Sequence, residues 1–179
     1  MISAAEELGY PLVMKTASSG IAHKSDQGGV KLGIETLDQL LSAYDDLRDR
    51  LGERVVLMPM IEAGVEVSLG MKNDPQYGPL VIVACGGILI ELMAERSFRL
   101  APVTASEAEE MIDELRLARL LAGVRGQPAV NRDALVELLV LFSGLVCQFG
   151  EEIAEIDLNP VIVGTEACTI VDALVIARD

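Results

Sequence analysis

The only histidine of this 179-residue chain lies in a segment rich in lysine and glycine. Residues 20–31 read GIAHKSDQGGVK, so His23 is followed at once by a lysine, and a glycine pair and a second lysine come after it. Lysine side chains and backbone amides hold phosphate groups, and a neutral imidazole is a nucleophile toward phosphorus. These residues suggest phosphate chemistry at His23, although a lone loop histidine is more often solvated or a hydrogen-bonded structural residue.

Lys15 ends a strand-like run over 12–15 and precedes the small residues of 16–20. A lysine at the end of a buried strand is commonly only a charged strand end. Directly before a loop of small residues, however, it can reach the phosphates of a nucleotide. The local sequence therefore favours a phosphate-binding role for Lys15.

A second group of polar residues lies near the end of the chain. Asp157 and Asn159 are two positions apart on a predicted strand and share one of its faces, and Asp172 follows on the next long strand. Two carboxylates and a carboxamide oxygen suit Mg²⁺ held between protein and phosphates. A strand that simply exits into an Asn-Pro turn would have a similar sequence, and spacing alone does not separate the two.

Two further features are ambiguous from their sequence. Gly86-Gly87 follows a strand, where it would allow a phosphate to approach the backbone or would form a simple β-bulge. Glu91 and Arg99 are charged residues in apolar strands, which either pair with each other or line a cleft.

Composition excludes several classes of protein. With 28 acidic and 14 basic residues the net charge is −14, which argues against a nucleic-acid partner bound through a basic surface. No uninterrupted apolar run is long enough to span a membrane, and we expect no signal peptide. The three cysteines are scattered without metal-site spacing, as in reducing compartments, so we expect a cytoplasmic protein without a membrane partner.

The periodicities of the chain alternate between strands and helices and predict an α+β fold in which many strands form antiparallel hairpins. Thr36, Thr104 and Asn131 are predicted N-caps of helices over 37–51, 105–116 and 132–149. The predicted strands cover 12–15, 29–34, 55–61, 64–72, 79–84, 88–93, 98–103, 153–158, 161–163 and 168–176. A domain boundary is expected between residues 54 and 61.

Seven segments in order resemble the ATP-grasp domain of NDP-forming acyl-CoA synthetases, the acetate–CoA ligase (ADP-forming) group, which is related to succinyl-CoA synthetase β subunits. They are GYPLVMK at 9–15, HKSDQGGV at 23–30, GVEV at 64–67, KNDPQYGP at 72–79, GGILIE at 86–91, FRLAP at 98–102 and EIDLNP at 155–160. The resemblance implies an ATP-grasp fold of two α+β subdomains, 1–54 and 55–179, with the nucleotide between them. It also implies that the N-terminal part of the first subdomain is missing.

The resemblance implies a role for each of these residues. His23 is the catalytic residue that receives phosphate, and Lys15 contacts the phosphates of ATP or ADP. Glu66, Gly86, Gly87 and Arg99 are assigned to nucleotide binding as well. Asn159 and Asp172, with Asp157 beside them, are assigned to Mg²⁺.

The implied reaction interconverts acyl-CoA, ADP and phosphate with free acid, CoA and ATP. It requires a CoA-binding and CoA-ligase domain or subunit that carries a second histidine, so we expect the isolated chain to be inactive. The alternative is a non-catalytic, ligand-sensing synthetase-like module of a protein acetyltransferase.

Overall fold

The computed structural model of the protein describes residues 1–18, 20, 24, 25, 27–87, 95–124, 126 and 128–178. These residues form two compact units, Met1–Ile61 and Glu62–Asp179. The strand expected over 88–93 lies outside the described residues.

The first unit is a three-stranded antiparallel sheet packed against helices. Because β3 pairs with the central strand β1, the sheet order is β2-β1-β3 and the unit runs to Ile61. The subdomain bounds 1–54 and 55–179 stay a prediction. The predicted β1–β2 hairpin is confirmed, and Pro59 lies on an edge strand, where a missing N–H is tolerated. The elements are α1 (Ile2–Leu8), β1 (Leu12–Thr16), β2 (Val30–Ile34), α2 (Leu37–Leu51) and β3 (Val55–Pro59).

The core of the first unit follows from two periodicities. Leu12 and Met14 alternate on one face of β1, while Leu40 and Leu47 lie seven residues apart on one side of α2, and all four are fully buried. The predicted cap of α2 is confirmed, since Thr36 Oγ1 accepts a hydrogen bond of 3.3 Å from the amide of Gln39.

In the second unit, the described residues form a six-stranded antiparallel sheet with three helices. The order is β6-β5-β4-β7-β8, and β9 pairs with a different stretch of β7 from the one that β8 uses. The strands are β4 (Val65–Asp74), β5 (Gly78–Cys85), β6 (Arg96–Leu100), β7 (Ile153–Val163), β8 (Cys168–Ile170) and β9 (Leu174–Ala177), and the helices are α3 (Ala105–Asp113), α4 (Leu117–Leu121) and α5 (Arg132–Phe149).

One face of this sheet forms the core of the second unit with the helices. Alternate β4 residues such as Val67 and Leu69 are buried there against α3 and α5, which contribute Met111 and Leu139. Among the described residues, no helix is long and apolar enough to cross a membrane.

Local signals fix where these helices begin. Thr104 and Glu107 form the predicted capping box of α3, and Asn131 Oδ1 accepts a 3.0 Å hydrogen bond from the amide of Ala134 at the start of α5. The helix expected to reach residue 116 ends instead at Asp113, and a separate short helix follows.

Two strand boundaries near the end of the chain differ from the prediction. The strands expected over 153–158 and 161–163 are one strand, because β7 continues through Pro160. The strand expected over 168–176 is two, because residues 171–173 leave the sheet between β8 and β9. Asp172 therefore lies in a connection and not on a strand.

We expect Leu139→Ala to destabilise the protein by about 2–5 kcal/mol, because Leu139 is fully buried in α5 and its removal leaves a cavity. Leu141→Ala is the matched control on the same helix. Leu141 is 71% exposed, so its truncation should change stability by no more than about 0.5 kcal/mol. Urea unfolding followed by circular dichroism measures both, and equal losses would contradict the described packing of α5.

Candidate functional site

Lys15 lies at the end of the central strand of the first unit. Its Cα neighbours are Val30 on β2 and Val56 on β3, and the residue is half-buried. His23 lies outside the described residues, so the structure leaves its predicted role untested.

The return of the 17–29 loop to the sheet is a tight turn. The amide of Gly29 donates to Lys24 O at 2.7 Å, and the amide of Gly28 donates to Ser25 O at 3.0 Å. A Cβ on Gly29 would lie 2.8 Å from Thr16 Cγ2, so only glycine fits this position without a shift. The two amides considered as phosphate donors therefore close the turn.

Lys31, one of the two lysines of this segment predicted to donate to phosphate, forms an ion pair with α2. Its Nζ lies 2.7 Å from Asp46 Oδ2 on α2, and the Lys31 hydrogen bond, assisted by the charge of Arg50, holds the pKa of the Asp46 carboxyl below its ordinary value.

In the second unit, the alternation of β7 brings predicted metal ligands to one face. Ile156 and Leu158 are buried, so Asp157 and Asn159 point to the opposite face of the sheet. Ser68 of β4 shares that face, because its Oγ donates to Asp157 Oδ1 over a long 3.5 Å. We call the side of the sheet that carries Ser68, Asp157 and Asn159 the site face.

An irregularity in the β4–β7 pairing falls beside Asn159. Leu69 pairs with Leu158 and Val67 with Val161, so two β7 residues stand opposite the single β4 residue between them. The buried positions of β7 accordingly change from even to odd numbers beyond Asn159. Such a β-bulge redirects side chains locally.

Gly86 and Gly87 meet Glu66 and Asn159. The Gly86 amide donates to Glu66 O at 2.8 Å, and the Gly87 amide donates to Asn159 Oδ1 at 3.4 Å. A Cβ on Gly86 would lie 2.8 Å from backbone atoms of Val67, and a Cβ on Gly87 would overlap Glu66 Oε2. Gly87 also has a φ of +56°, which favours glycine. These four predicted residues form what we call the Glu66 cluster.

Asp172 lies close in the backbone to the bulge of β7, because its neighbour Val171 is hydrogen-bonded to Pro160. The amide of Val171 donates to Pro160 O at 3.1 Å, so the connection that carries Asp172 runs beside the bulge of β7. The backbone therefore brings the three predicted metal ligands to adjacent segments of one unit.

The donors in this region fit Mg²⁺ bound together with phosphate. No group of three His, Cys, Asp or Glu side chains suited to a metal occurs in the described part of the chain. Mg²⁺ commonly takes one or two carboxylates and completes its shell with water and phosphate oxygens. Asp157 and Asp172, with the Asn159 carboxamide, are such a set of hard oxygen donors.

Arg99 is not brought together with the other predicted residues. It pairs in register with buried Val81, so it lies on the helix side of the sheet, opposite the site face. Its Nη2 is 2.5 Å from Glu114 Oε1, and hydrogen bonds from Arg99 and then Ser97 lower the pKa of the Glu114 carboxyl. This ion pair gives Arg99 a structural contact, and its role in nucleotide binding stays a prediction.

Ser68 and the α2 residues Asp46 and Arg50 were not identified from the sequence. The alternation of a strand puts Ser68 on the face opposite Val67, but its contact with Asp157 depends on the pairing of two strands that are far apart in sequence. Asp46 and Arg50 are four residues apart on a helix, and this spacing predicts their ion pair. It does not predict the contacts that either residue makes outside the helix.

Known proteins resemble this chain over almost its whole length. The family model described as an ATP-grasp domain matches residues 1–176. The beta subunit of acetate–CoA ligase (ADP-forming) I from Pyrococcus furiosus is 39% identical over 178 residues, which cover 95% of this chain and 76% of that subunit. Acetate–CoA ligase (ADP-forming) I from Archaeoglobus fulgidus is 39% identical over 175 residues, but the chain spans only 25% of that enzyme's length.

A solved structure shares the fold. The dinucleotide-forming acetyl-coenzyme A synthetase 1 of Ca. Korarchaeum cryptofilum superposes with a TM-score of 0.87 at 36% identity, covering 99% of this chain and 81% of the other. That complex holds coenzyme A and Mg-AMPPCP, with a phosphohistidine segment pointing towards the nucleotide-binding site. The family match and the beta-subunit alignment, each over most of the chain, establish that it belongs to the ATP-grasp domain of ADP-forming acyl-CoA ligases.

Proposed function

We propose that this chain is the nucleotide-binding component of an ADP-forming acyl-CoA synthetase and moves phosphate between ATP and His23. The observation that carries the proposal is the Glu66 cluster beside Asp157. There, the exposed carboxylate of β4 and the hard oxygen donors of the neighbouring strand β7 lie beside a glycine backbone that directly follows β5. The alternative of an acetyltransferase module gains no support from the relatives named above, which are CoA ligases or synthetases.

Each predicted residue has a role in this proposal. The first unit supplies the phosphohistidine-type loop and Lys15, whose ammonium group contacts the nucleotide phosphates. The second unit supplies the residues for the nucleotide and the metal, namely Glu66, Gly86, Gly87, Arg99, Asp157, Asn159 and Asp172. When bound, Mg²⁺ would neutralise phosphate charge. The Mg-AMPPCP complex of the Korarchaeum enzyme supports this assignment.

The transfer step uses an imidazole nitrogen as the nucleophile. An unprotonated ring nitrogen of His23 attacks the γ-phosphorus of ATP, an N–P bond forms, and the bond to the bridging oxygen breaks as ADP leaves. The ring proton passes to solvent. In the reverse direction, ADP takes the phosphoryl group back.

The proposal assigns the thioester chemistry to a partner. The chain spans a quarter of the length of the Archaeoglobus enzyme, and the Pyrococcus relative is a beta subunit. A CoA-binding and CoA-ligase domain or subunit with a second histidine would pass phosphate to and from His23. We propose a cytoplasmic setting, in keeping with three cysteines scattered along the sequence without metal-site spacing.

Asp172→Asn should weaken binding of ATP about tenfold or more in the presence of Mg²⁺ and leave it unchanged in EDTA, because the variant removes a carboxylate from the proposed metal set. Calorimetric titration measures both affinities. Glu137→Gln, which removes one exposed charge from α5, is the matched control and should bind as the wild type does. An equal loss with and without Mg²⁺ would contradict the metal assignment.

His23→Ala and His23→Asn should abolish phosphate labelling while leaving the melting temperature unchanged. In the presence of the CoA-ligase partner, [γ-³²P]ATP and Mg²⁺, the wild-type chain should acquire acid-labile, alkali-stable label, and the variants should lose transfer by a factor of about 10³ or more, roughly 4 kcal/mol of barrier. Label on either variant at the wild-type rate would show that another residue carries the phosphate.

Thioester formation should require the partner. With acetate, CoA and ATP, the pure chain should stay at background in a coupled assay for acetyl-CoA. Adding the CoA-ligase chain encoded by the same organism should restore turnover, and His23→Asn should block it. Robust acetyl-CoA synthesis by the pure chain would contradict the proposed division of labour.

A further inference from the structure

We propose that Arg50 is a positioning residue that holds the return stem of the loop containing His23. The inference rests on the proposed function for its consequence, but its structural basis is independent of that function. Arg50 lies in the last turn of α2, 23 residues from its loop contact, and its side chain is 44% exposed.

The planar fork of Arg50 binds two groups at once. Nη2 donates to the carbonyl oxygen of Gln27 at 2.5 Å, and Nη1 lies 2.9 Å from Asp46 Oδ2, one helical turn earlier. A Cβ on Gly28 would lie 3.0 Å from Nη2, so a glycine directly after Gln27 lets the guanidinium approach the backbone. Two fixed donors on one rigid plane give the contact a defined direction.

Asp46 connects this contact to the sheet. The same Oδ2 atom accepts from Arg50 and, at 2.7 Å, from Lys31 of β2. Gln27 and Lys31 lie four residues apart at the point where the loop becomes β2. The Asp46 carboxylate therefore binds both Arg50 and Lys31. Arg50 contacts the stem just before Gly28 and Gly29, and Lys31 belongs to the stem just after them.

The other stem of the loop is held by the same end of α2. Ser18 Oγ donates to Leu51 O, and the Ser18 amide donates to Thr16 Oγ1 at 3.3 Å. Gly52 directly follows the helix, and a Cβ there would lie 2.9 Å from the Ser18 hydroxyl, so a side chain at this position would displace it. The C-terminal turn of α2 therefore contacts both stems of the loop. The carbonyl of Leu51 binds the stem at Ser18, and Arg50 binds the stem at Gln27.

This arrangement has a consequence for phosphate transfer. Transfer to a histidine requires the ring nitrogen near the phosphorus and in line with the leaving oxygen, and a loop anchored at both stems loses less entropy in reaching that geometry. Arg50 is not among the residues proposed to bind the nucleotide and the metal. Loss of the Arg50 contact should therefore slow transfer without weakening nucleotide binding.

The test compares Arg50→Met with Arg48→Met. Arg48 is a close control, since it lies on the same helix with 40% exposure and, among the residues that the structure describes, forms ion pairs only within α2, with Asp45 and Asp49. Hydrogen exchange of the Gly28 and Gly29 amides, which close the turn, should become about two- to tenfold faster in Arg50→Met and stay at the wild-type rate in Arg48→Met. Arg50→Lys keeps the charge without the fork and should also exchange faster than the wild type.

The second readout is the rate of ³²P labelling at several concentrations of Mg-ATP. Arg50→Met should lower the maximal rate about tenfold and leave the half-saturating concentration unchanged, whereas Arg48→Met should match the wild type. Exchange and labelling in Arg50→Met that equal those of Arg48→Met would overturn the positioning role. If the wild-type chain takes up no label, the proposed transfer to His23 fails, while the exchange measurement still decides whether Arg50 holds the stem.

Discussion

The pairing of β4 with β7 is the constraint on which the second unit depends. Each strand lies inside the six-stranded sheet, and each contributes to both the core and the site face. Strict alternation after buried Leu158 would turn Val161 and Val163 away from the core. The extra residue of β7 at Asn159 shifts the alternation by one position, so both valines are buried. Polar residues can therefore interrupt a strand without removing it from the core.

The structure also explains why so many glycines surround the proposed chemistry. Gly29 in the first unit and Gly86 in the second lie against neighbouring atoms at distances that leave no room for a side chain. The close approach serves different ends in the two units. In the first, it closes a turn whose amides bond within the loop. In the second, it brings a backbone beside Glu66 and Asn159.

Features that depend on neighbouring residues were predictable from the sequence. The caps Thr36, Thr104 and Asn131 were correct because a cap and its partner lie within three residues of each other. The α+β class and the β1–β2 hairpin were correct because strand alternation and turn residues are local as well. Glu66, Gly86 and Gly87 were predicted as nucleotide-binding residues from the family motifs. Their spacing alone does not distinguish a binding role from a structural one.

Features that depend on pairing between distant segments were not predictable. The ion pair of Arg99 is one of them, because nothing near Arg99 in sequence identifies its partner Glu114, which follows α3. The continuity of β7 through Pro160 depends on its neighbours β4, β8 and β9, which hold a strand that local propensity would end. The contacts between the end of α2 and the two loop stems are of the same kind. Arg50 lies 23 residues from Gln27, and Leu51 lies 33 residues from Ser18.

The contact between Glu66 and Gly87 has a consequence for how this domain can vary over evolutionary time. A Cβ at position 87 would occupy the space of the Glu66 carboxylate, so a replacement of Gly87 displaces that carboxylate, whereas a replacement of Glu66 leaves room for any residue that position 87 already holds. A lineage that replaces Gly87 must shorten the side chain at 66 or redirect it, and either change moves the carboxylate from its place beside the glycine backbone. Positions 66 and 87 should therefore covary across homologous sequences, with acidic residues at 66 confined to chains that keep glycine at 87.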